Sequence, residues 1–251
     1  MHRGLWTIFQ LLLLAFWAAG ETVQIPGLGD VIGTTTKSTG GNTIYSFYAI
    51  PYALPLTGDS RFKKPVPHPG WADPLDCKAS GAACPQPERF ISQFTPNGTV
   101  GVNAGDKQLP VLVFFHGGGF TVGSSASIKP DFLLDHEMVL VVPQFRLGVL
   151  GFLSLGTQYI PGNAALFDQS LALKWVQDNI ASFNGDPNMV TIAGLFSQVI
   201  AHGGAGIASW AIAKDPIGAA NGIANMVHCN GGDIETCFKE RTTEELVDSY
   251  T

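Results

Sequence analysis

The stretch Leu109–Ser125, LPVLVFFHGGGFTVGSS, decides the fold of this chain. It contains a short apolar run, Val111–Phe115, which is rich in β-branched and aromatic residues and is typical of a strand buried on both faces. Three consecutive glycines, Gly117–Gly119, follow this run closely. Because glycine lets the backbone turn sharply and leaves its N–H groups uncovered, such a loop can aim several donors at one point. The alternative is a glycine-rich loop that serves only as a turn.

Composition predicts one globular domain. The 251 residues are 45% hydrophobic and 14% charged, which suffices for one sizeable core. The formal net charge is −6, and the sequence has no basic cluster of the kind that neutralises phosphates. Binding to nucleic acid is therefore not expected.

The first twenty residues have the order of a secretory signal peptide. In Met1–Gly20, His2 and Arg3 precede an apolar stretch, and small residues follow it. The apolar stretch is too short to span a bilayer comfortably, although an uncleaved anchor is the alternative. We therefore expect a secreted mature chain of residues 21–251 without a membrane span.

Cysteines and a glycosylation sequon fit an oxidising compartment. The four cysteines are Cys77, Cys84, Cys229 and Cys237. Six residues separate the first two, so a bridge between them is possible but not forced. Asn97-Gly98-Thr99 is the only N-glycosylation sequon and predicts a glycan on Asn97.

A hairpin is predicted near the start of the mature chain. Its strands are Val31–Thr39 and Thr43–Ile50, and Gly40-Gly41-Asn42 between them tolerates the positive φ of such turns. Ser92–Gln108 shows no periodicity and is predicted to be a loop.

Strands and a helix alternate in the second half. Val139–Val142 and Met189–Ala193 are apolar runs of strand length. Asp168–Phe183 between them is the clearest helix, with Asp168 as a plausible N-cap. Its recurring face is formed by Ala172, Trp175, Val176, Asn179, Ile180 and Phe183. This alternation implies a mostly parallel sheet covered on both faces.

Five stretches carry a more specific signal. They are Phe47–Pro65 (FYAIPYALPLTGDSRFKKP), Ala83–Gln86 (ACPQ), His116–Phe120 (HGGGF), Gln144–Ser154 (QFRLGVLGFLS) and Pro161–Gly194. Together and in this order they resemble the type-B carboxylesterases and cholinesterases, which have the α/β-hydrolase fold. The resemblance implies an incomplete α/β-hydrolase fold over residues 21–251, with an N-terminal antiparallel hairpin followed by a mostly parallel central sheet flanked by helices.

The resemblance also implies chemistry. Members are serine hydrolases that act on small carboxylic esters without a cofactor or a metal. The N–H groups of the family's glycine loop hold the oxyanion, and this role falls here on Gly118 and Gly119. Cys229 and Cys237 are spaced as in the family's second small loop, which implies a disulfide between them.

The segment after the predicted strand Met189–Ala193 departs from the family. There the family has G-x-S-x-G, a tight turn that exposes the nucleophilic serine. This chain reads Gly194-Leu195-Phe196-Ser197-Gln198, so Phe196 stands at the nucleophile position, and G-x-S-x-G occurs nowhere else. Ser197 is one position late and is not expected to attack a carbonyl. Gly194–Ile212 instead resembles a segment well downstream of the turn, which indicates an internal deletion.

Two further family features have no counterpart. The S-E-D-C-L strand, which holds the partner of the family's first cysteine, is missing from Thr99–Lys107, so Cys84 is left to pair with Cys77, to stay free or to mispair. The sequence stops at Thr251, before the family's acidic residue and histidine. We therefore expect a truncated form with no nucleophile, acid or histidine of a triad.

The sequence predicts a secreted carboxylesterase-family chain that is catalytically inactive as written. The alternative is a non-catalytic, cholinesterase-like adhesion or ligand-binding protein of the neuroligin type, for which Ser209–Ile212 (SWAI) is the hint. A third interpretation, a secreted binder of hydrophobic ligands, rests on Phe120, Phe145 and Phe152, which are more often core residues.

Overall fold

A computed structural model describes residues 21–87, 100–103, 107–128, 130–192 and 213–249. Several sequence predictions lie outside these described residues: the signal peptide Met1–Gly20, the sequon at Asn97, the junction Gly194–Gln198 and the hint Ser209–Ile212.

Two sheets form the framework of the described part of the chain. The strands are β1 (Thr22–Ile25), β2 (Gly29–Ile32), β3 (Thr34–Lys37), β4 (Thr43–Phe47), β5 (Leu75–Asp76), β6 (Val100–Asn103), β7 (Leu109–Val113), β8 (Val139–Val141) and β9 (Gly185–Thr191). The small sheet has the order β1-β2-β5, and the large sheet has the order β3-β4-β6-β8-β7-β9.

The large sheet changes character across its width. Strands β3, β4, β6 and β8 pair antiparallel, whereas β7 pairs parallel with both β8 and β9. The predicted fold class, an incomplete α/β fold that begins with an antiparallel hairpin, is confirmed. Within the large sheet, parallel pairing is confined to the three strands β8-β7-β9, so this sheet is mixed, and the glycine loop follows β7 in its parallel part.

The predicted hairpin is present, but its first strand is divided. Strands β3 and β4 pair from Thr34↔Ser46 to Lys37↔Thr43. The prediction of one strand over Val31–Thr39 is wrong at Gly33, where the chain leaves the small sheet and enters the large one. A Cβ atom on Gly33 would lie 2.6 Å from the Phe47 ring, so the crossing requires a residue without a side chain.

Strand β6 lies within the segment predicted to be a loop. It pairs antiparallel with β4 on one side and with β8 on the other, with Val100 opposite both Phe47 and Val141. The prediction of a loop over Ser92–Gln108 is therefore wrong over Val100–Asn103. Weak local propensity is overridden here because two neighbouring strands supply the backbone partners. This strand carries no cysteine.

Five α-helices accompany the sheets in the described residues. They are α1 (Gly148–Phe152), α2 (Ala164–Asn179), α3 (Pro216–Met226), α4 (Ile234–Glu240) and α5 (Thr243–Asp248). None of these described helices has the length and apolar character that a membrane span requires. The predicted apolar face of α2 is confirmed, since Ala172 is buried, Val176 belongs to the main core, and Ile180 and Phe183 continue it in a 3-10 turn.

The predicted start of α2 is wrong. The helix begins at Ala164 rather than at Asp168, after Asn163 in a left-handed conformation. Asp168 is therefore inside the helix and caps nothing. Its carboxylate is buried and bonded to Arg146, a partner that local sequence does not reveal.

A second hydrophobic core surrounds helices α3, α4 and α5. It contains the disulfide between Cys229 and Cys237, whose Cα atoms are 5.7 Å apart, so the bridge implied by the family resemblance is present. Cys77 and Cys84 are both free. They belong to different clusters, Cys77 to the main core under the sheet and Cys84 to the group around Phe145, so the possible bridge between them does not form.

Candidate active site

The loop that follows β7 requires glycine at two places. Gly118 and Gly123 both have φ of +123°, a region that side chains disfavour. A Cβ atom on Gly118 would overlap the carbonyl oxygen of Val122, and one on Gly123 would overlap that of Gly117. The chain therefore folds back on itself within a few residues, as the glycine cluster predicted.

Backbone hydrogen bonds close this loop from inside. The N–H groups of Thr121 and Val122 both donate to the carbonyl of Gly118, at 3.1 Å each. Gly148 at the start of α1 donates to the carbonyl of Phe120 at 2.7 Å. Within the described part of the chain, the N–H groups of Gly118 and Gly119 donate to no acceptor, and both residues are exposed. Two donors are thus available to an incoming oxyanion, and their catalytic use remains a prediction.

Gln86 anchors the far end of the loop. This buried side chain accepts a hydrogen bond from the N–H of Gly123 at 2.9 Å and donates to the carbonyl of the same residue at 2.8 Å. It also donates to the carbonyl of Cys84 at 3.2 Å. The sequence analysis noted the stretch Ala83–Gln86 because of Cys84 and assigned no role to Gln86. The glutamine, rather than the thiol, holds the loop.

A second glutamine, Gln144, supports the loop from β8. Its amide accepts from the N–H of Ser125 at 3.3 Å and donates to the hydroxyl of Ser124 at 3.2 Å. The hydroxyl of Tyr52 donates to the backbone carbonyl of Gln144 at 2.8 Å. The family-like stretch Gln144–Ser154 therefore begins with a residue that positions the end of the glycine loop.

The side chain of His116 is buried and packs against Phe145. Its ring stacks on Phe145 with centroids 4.5 Å apart and planes 16° from parallel. Burial lowers the pKa of His116, which favours the neutral imidazole. Its Nε2 atom is buried without a hydrogen-bond partner, so the ring does not activate a hydroxyl in the described part of the chain.

The aromatic residues of the third interpretation pack mainly against one another. The Phe120 ring lies 6.2 Å from that of Phe145 and 5.1 Å from that of Phe152, both edge to face. Phe145 is buried, whereas Phe120 remains 43% exposed beside the glycine loop. These contacts shape the base of the loop and leave one apolar ring at the surface.

A buried ion pair lies below the loop and was not predicted. Asp168 Oδ1 is 2.6 Å from Arg146 Nη2, and Asp168 Oδ2 is 2.7 Å from Arg146 Nε. The same guanidinium donates to the carbonyls of Arg61 and Lys63 at 2.8 Å each. One arginine thus joins three stretches that the sequence analysis had quoted separately. The sequence offered one signal for this pairing: Arg146 and Asp168 both lie in stretches that resemble the family.

The free thiols do not replace a serine nucleophile. Burial raises the pKa of Cys77 to about 11 and that of Cys84 to about 12, so both thiols are protonated at neutral pH. A protonated thiol is a poor nucleophile. Among the described residues, no group of three His, Cys, Asp or Glu side chains is placed to hold a metal ion.

The strand that should present the nucleophile ends beside the glycine loop. Strand β9 runs parallel to β7, with Val190 opposite Val111 and Thr191 opposite Leu112. Because parallel neighbours end at the same edge of a sheet, β9 ends at the edge where the glycine loop begins. The predicted departure from the family, Gly194–Gln198, comes directly after this edge and lies outside the described residues.

Comparison with known proteins identifies a family and several relatives. The model of the carboxylesterase family matches residues 19–195. Esterase FE4 of Myzus persicae is 34% identical over 88% of this chain and 46% of its own length. Juvenile hormone esterase of Tribolium castaneum is 37% identical over 73% of this chain and 36% of its own, and bile salt-activated lipase of Homo sapiens is 30% identical over 95% and 37%. The chain spans about half the length, or less, of these curated relatives.

The lengths of these alignments carry further information. The match with bile salt-activated lipase extends over 285 positions, which exceeds the 251 residues of this chain. The relative therefore has residues inside the matched region that have no counterpart here. The family model also stops at residue 195, one residue past Gly194, where the sequence departs from the family pattern.

Proposed function

Since this chain belongs to the carboxylesterase family of ester hydrolases, we propose that it is a secreted, non-hydrolysing member that retains the oxyanion loop and lacks the attacking serine. The observation that carries this proposal is the sequence Gly194-Leu195-Phe196-Ser197-Gln198, which stands just beyond the end of β9 in place of G-x-S-x-G. The leader Met1–Gly20 supports secretion.

Two findings support an internal deletion as the origin of this change. The family model ends at residue 195, where the departure begins. The alignment with bile salt-activated lipase contains more positions than this chain has residues, as expected when a segment present in the relative is absent here. A point substitution of the serine would have left the family match continuous through the turn.

The remaining geometry explains what the site can still do. In serine hydrolases a hydroxyl attacks the ester carbonyl carbon, and N–H donors stabilise the resulting oxyanion. Gly118 and Gly119 supply such donors, but the buried His116 ring and the protonated Cys84 thiol supply no attacking group. The site can therefore polarise the carbonyl of a small ester without forming an acyl-enzyme. Loss of the donor that follows the nucleophile would cost a further factor of about 100 to 1,000 in rate.

The direct test measures turnover and covalent labelling together. The full chain, expressed in a secreting host and shown to be folded by a cooperative melting transition, is mixed with 4-nitrophenyl acetate and, separately, with diisopropyl fluorophosphate. We expect hydrolysis no faster than with a heat-denatured sample and no phosphorylated serine by peptide mass spectrometry. Inhibitor-sensitive turnover, or an adduct on any serine, would overturn the proposal.

A matched variant separates deletion from substitution. The double change Phe196→Ser with Gln198→Gly rebuilds the G-x-S-x-G pattern at residues 194–198. If a segment has been deleted, the pattern alone lacks the helix and partners that activate a serine, and no labelling is expected. Organophosphate labelling at position 196 would instead show that substitutions at residues 196 and 198 silenced an otherwise intact site.

A further inference from the structure

Folding brings cations from two distant stretches of the chain into one surface patch. The first stretch precedes Pro65, and the second lies at the end of helix α4. The side chain of Arg61 donates a hydrogen bond to the backbone carbonyl of Arg241, which joins the two stretches. We call this surface the basic patch, and its cations are Arg61, Lys63, Lys64, Lys239 and Arg241.

Aromatic rings lie against the lysines of the basic patch. The Nζ atoms of Lys63 and Lys239 are 5.3 Å and 4.5 Å from the centroid of the Tyr159 ring. The Nζ atom of Lys64 is 4.1 Å from the centroid of the Phe167 ring. Because an aromatic face attracts a cation, these contacts favour fixed positions for the ammonium groups. Tyr159 is 49% exposed and Phe167 is 37% exposed, so apolar surface lies beside the charges.

The buried side chain of Arg146 fixes the base of the basic patch. Its guanidinium donates to the carbonyls of Arg61 and Lys63 at 2.8 Å each, and to the carbonyl of Ala164 at 3.3 Å. Phe62, between the two basic residues, is buried in the second core. A partner therefore meets a surface that is already ordered, which lowers the entropic cost of binding.

Two lysines of the basic patch keep an uncompensated charge. Lys239 pairs with Glu235 at 3.1 Å, and the guanidinium of Arg241 lies 3.5 Å from a carboxylate oxygen of Glu245. Within the residues that the structure describes, no carboxylate forms an ion pair with Lys63 or Lys64. The whole chain has a formal net charge of −6, so the basic patch is a local region of opposite sign. Such a region attracts a negatively charged partner.

The mixture of groups favours an acidic polypeptide over a dense polyanion. The carboxylates of Asp59, Glu235 and Glu245 interact with cations of the basic patch. They would repel the closely spaced charges of a sulfated glycan or of an anionic membrane. A polypeptide can place carboxylates at the two unpaired lysines and uncharged groups elsewhere. Aromatic residues and arginine are also enriched in interfaces between proteins.

We infer that the basic patch binds an acidic segment of a partner protein. Carboxylates of that segment pair with Lys63 and Lys64, and an apolar side chain packs against the exposed parts of Tyr159 and Phe167. The interaction uses neither the oxyanion loop nor an attacking group. It is therefore independent of whether the chain hydrolyses esters.

The test measures fluorescence anisotropy of a fluorescein-labelled peptide, EEFEEL, titrated with the full chain. Saturable binding is expected with a Kd at or below about 100 μM in about 50 mM NaCl, and about 500 mM NaCl should weaken it by about fivefold or more. The uncharged analogue QQFQQL is expected to bind at least about tenfold more weakly. Equal binding of the two peptides, or no binding by a folded chain, would overturn the inference. Tighter binding of a heparin hexasaccharide or of phosphatidylserine vesicles than of EEFEEL would also overturn it.

Two double variants with the same loss of charge locate the site. Lys63→Gln with Lys64→Gln is expected to weaken binding of EEFEEL by about tenfold. Lys37→Gln with Lys78→Gln removes two charges at exposed positions outside the basic patch and should leave the affinity within about twofold. A cooperative melting transition establishes that each variant is folded. Equal losses in both double variants would show that net charge alone governs binding and would refute the site.

A third pair of variants tests the role of the ring. Tyr159→Leu removes the aromatic face over which two ammonium groups lie, and it is expected to weaken binding of EEFEEL by about threefold. Tyr159→Phe keeps that face and should bind as the original chain does. Unchanged affinity in Tyr159→Leu would contradict the proposed contact between the ring and the partner.

Discussion

Helix α2 carries two ion pairs of similar chemistry in opposite environments. Near its start, Asp168 pairs with Arg146, and their side chains are only 1% and 7% exposed. Near its end, Asp178 pairs with Lys174 at 2.8 Å, and these side chains are 51% and 65% exposed. The first pair connects separate stretches of chain, whereas the second joins adjacent turns of one helix.

The difference shows where the candidate site obtains its rigidity. The acceptors around Arg146 come from two other parts of the chain, helix α2 and the segment that contains Arg61 and Lys63. Water cannot replace these contacts because the pair is buried. Removal of one partner therefore leaves the charge of the other buried and uncompensated. Water readily replaces the partner of an exposed charge. Four variants test where stability arises, and they are given from the largest expected effect to the smallest.

Asp168→Asn is expected to have the largest effect. The amide keeps the shape but removes the charge, so Arg146 remains buried without a counter-ion. We expect the free energy of unfolding to fall by about 3 to 5 kcal/mol, measured by urea denaturation. A decrease below about 1 kcal/mol would mean that the backbone acceptors suffice and that the contrast between the pairs is wrong.

Removal of the disulfide is expected to have an intermediate effect. Cys229→Ala with Cys237→Ala opens a loop with a sequence separation of 8 in the second core. Restoring that freedom to the unfolded chain should cost about 2.5 kcal/mol of unfolding free energy. Urea denaturation of the unaltered chain with and without a reductant provides the control, and the two differences should agree. A loss as large as that of Asp168→Asn would place the main constraint in the second core.

His116→Gln is expected to change how the free energy of unfolding depends on pH. Burial lowers the pKa of His116 in the folded chain, while the unfolded chain binds a proton near pH 6.5. Because the unfolded state then carries more protons, stability falls as the pH drops below about 6.5, by up to about 1.4 kcal/mol per pH unit. The substitution should remove this slope between pH 5 and 7.5, whereas His136→Gln, at an exposed position, should retain it. An unchanged slope would show that another group titrates.

Asp178→Asn is expected to have the smallest effect and is the matched control for Asp168→Asn on the same helix. The exposed pair with Lys174 contributes little because water and salt screen both charges. We expect a change of at most about 0.5 kcal/mol in the free energy of unfolding. A larger loss would indicate that helix α2 itself, and not the buried pair, limits stability.

The elements with strong local patterns were predictable from sequence. The apolar runs of β7 and β8, the hairpin around Gly41 and the buried face of α2 all follow from composition at short range. Strand β6 was missed because its residues are unremarkable alone and become a strand only between two neighbours. Asp168 was assigned to the wrong role because its partner is 22 residues away.

The sequence by itself determined the family, the glycine loop and the absence of G-x-S-x-G, because these depend on the identity and order of neighbouring residues. Tertiary structure alone decided that Gln86 holds the loop and that Arg146 joins three stretches. Each of these facts depends on which atoms meet after folding, and contacts between residues far apart in the chain leave no periodic trace along it.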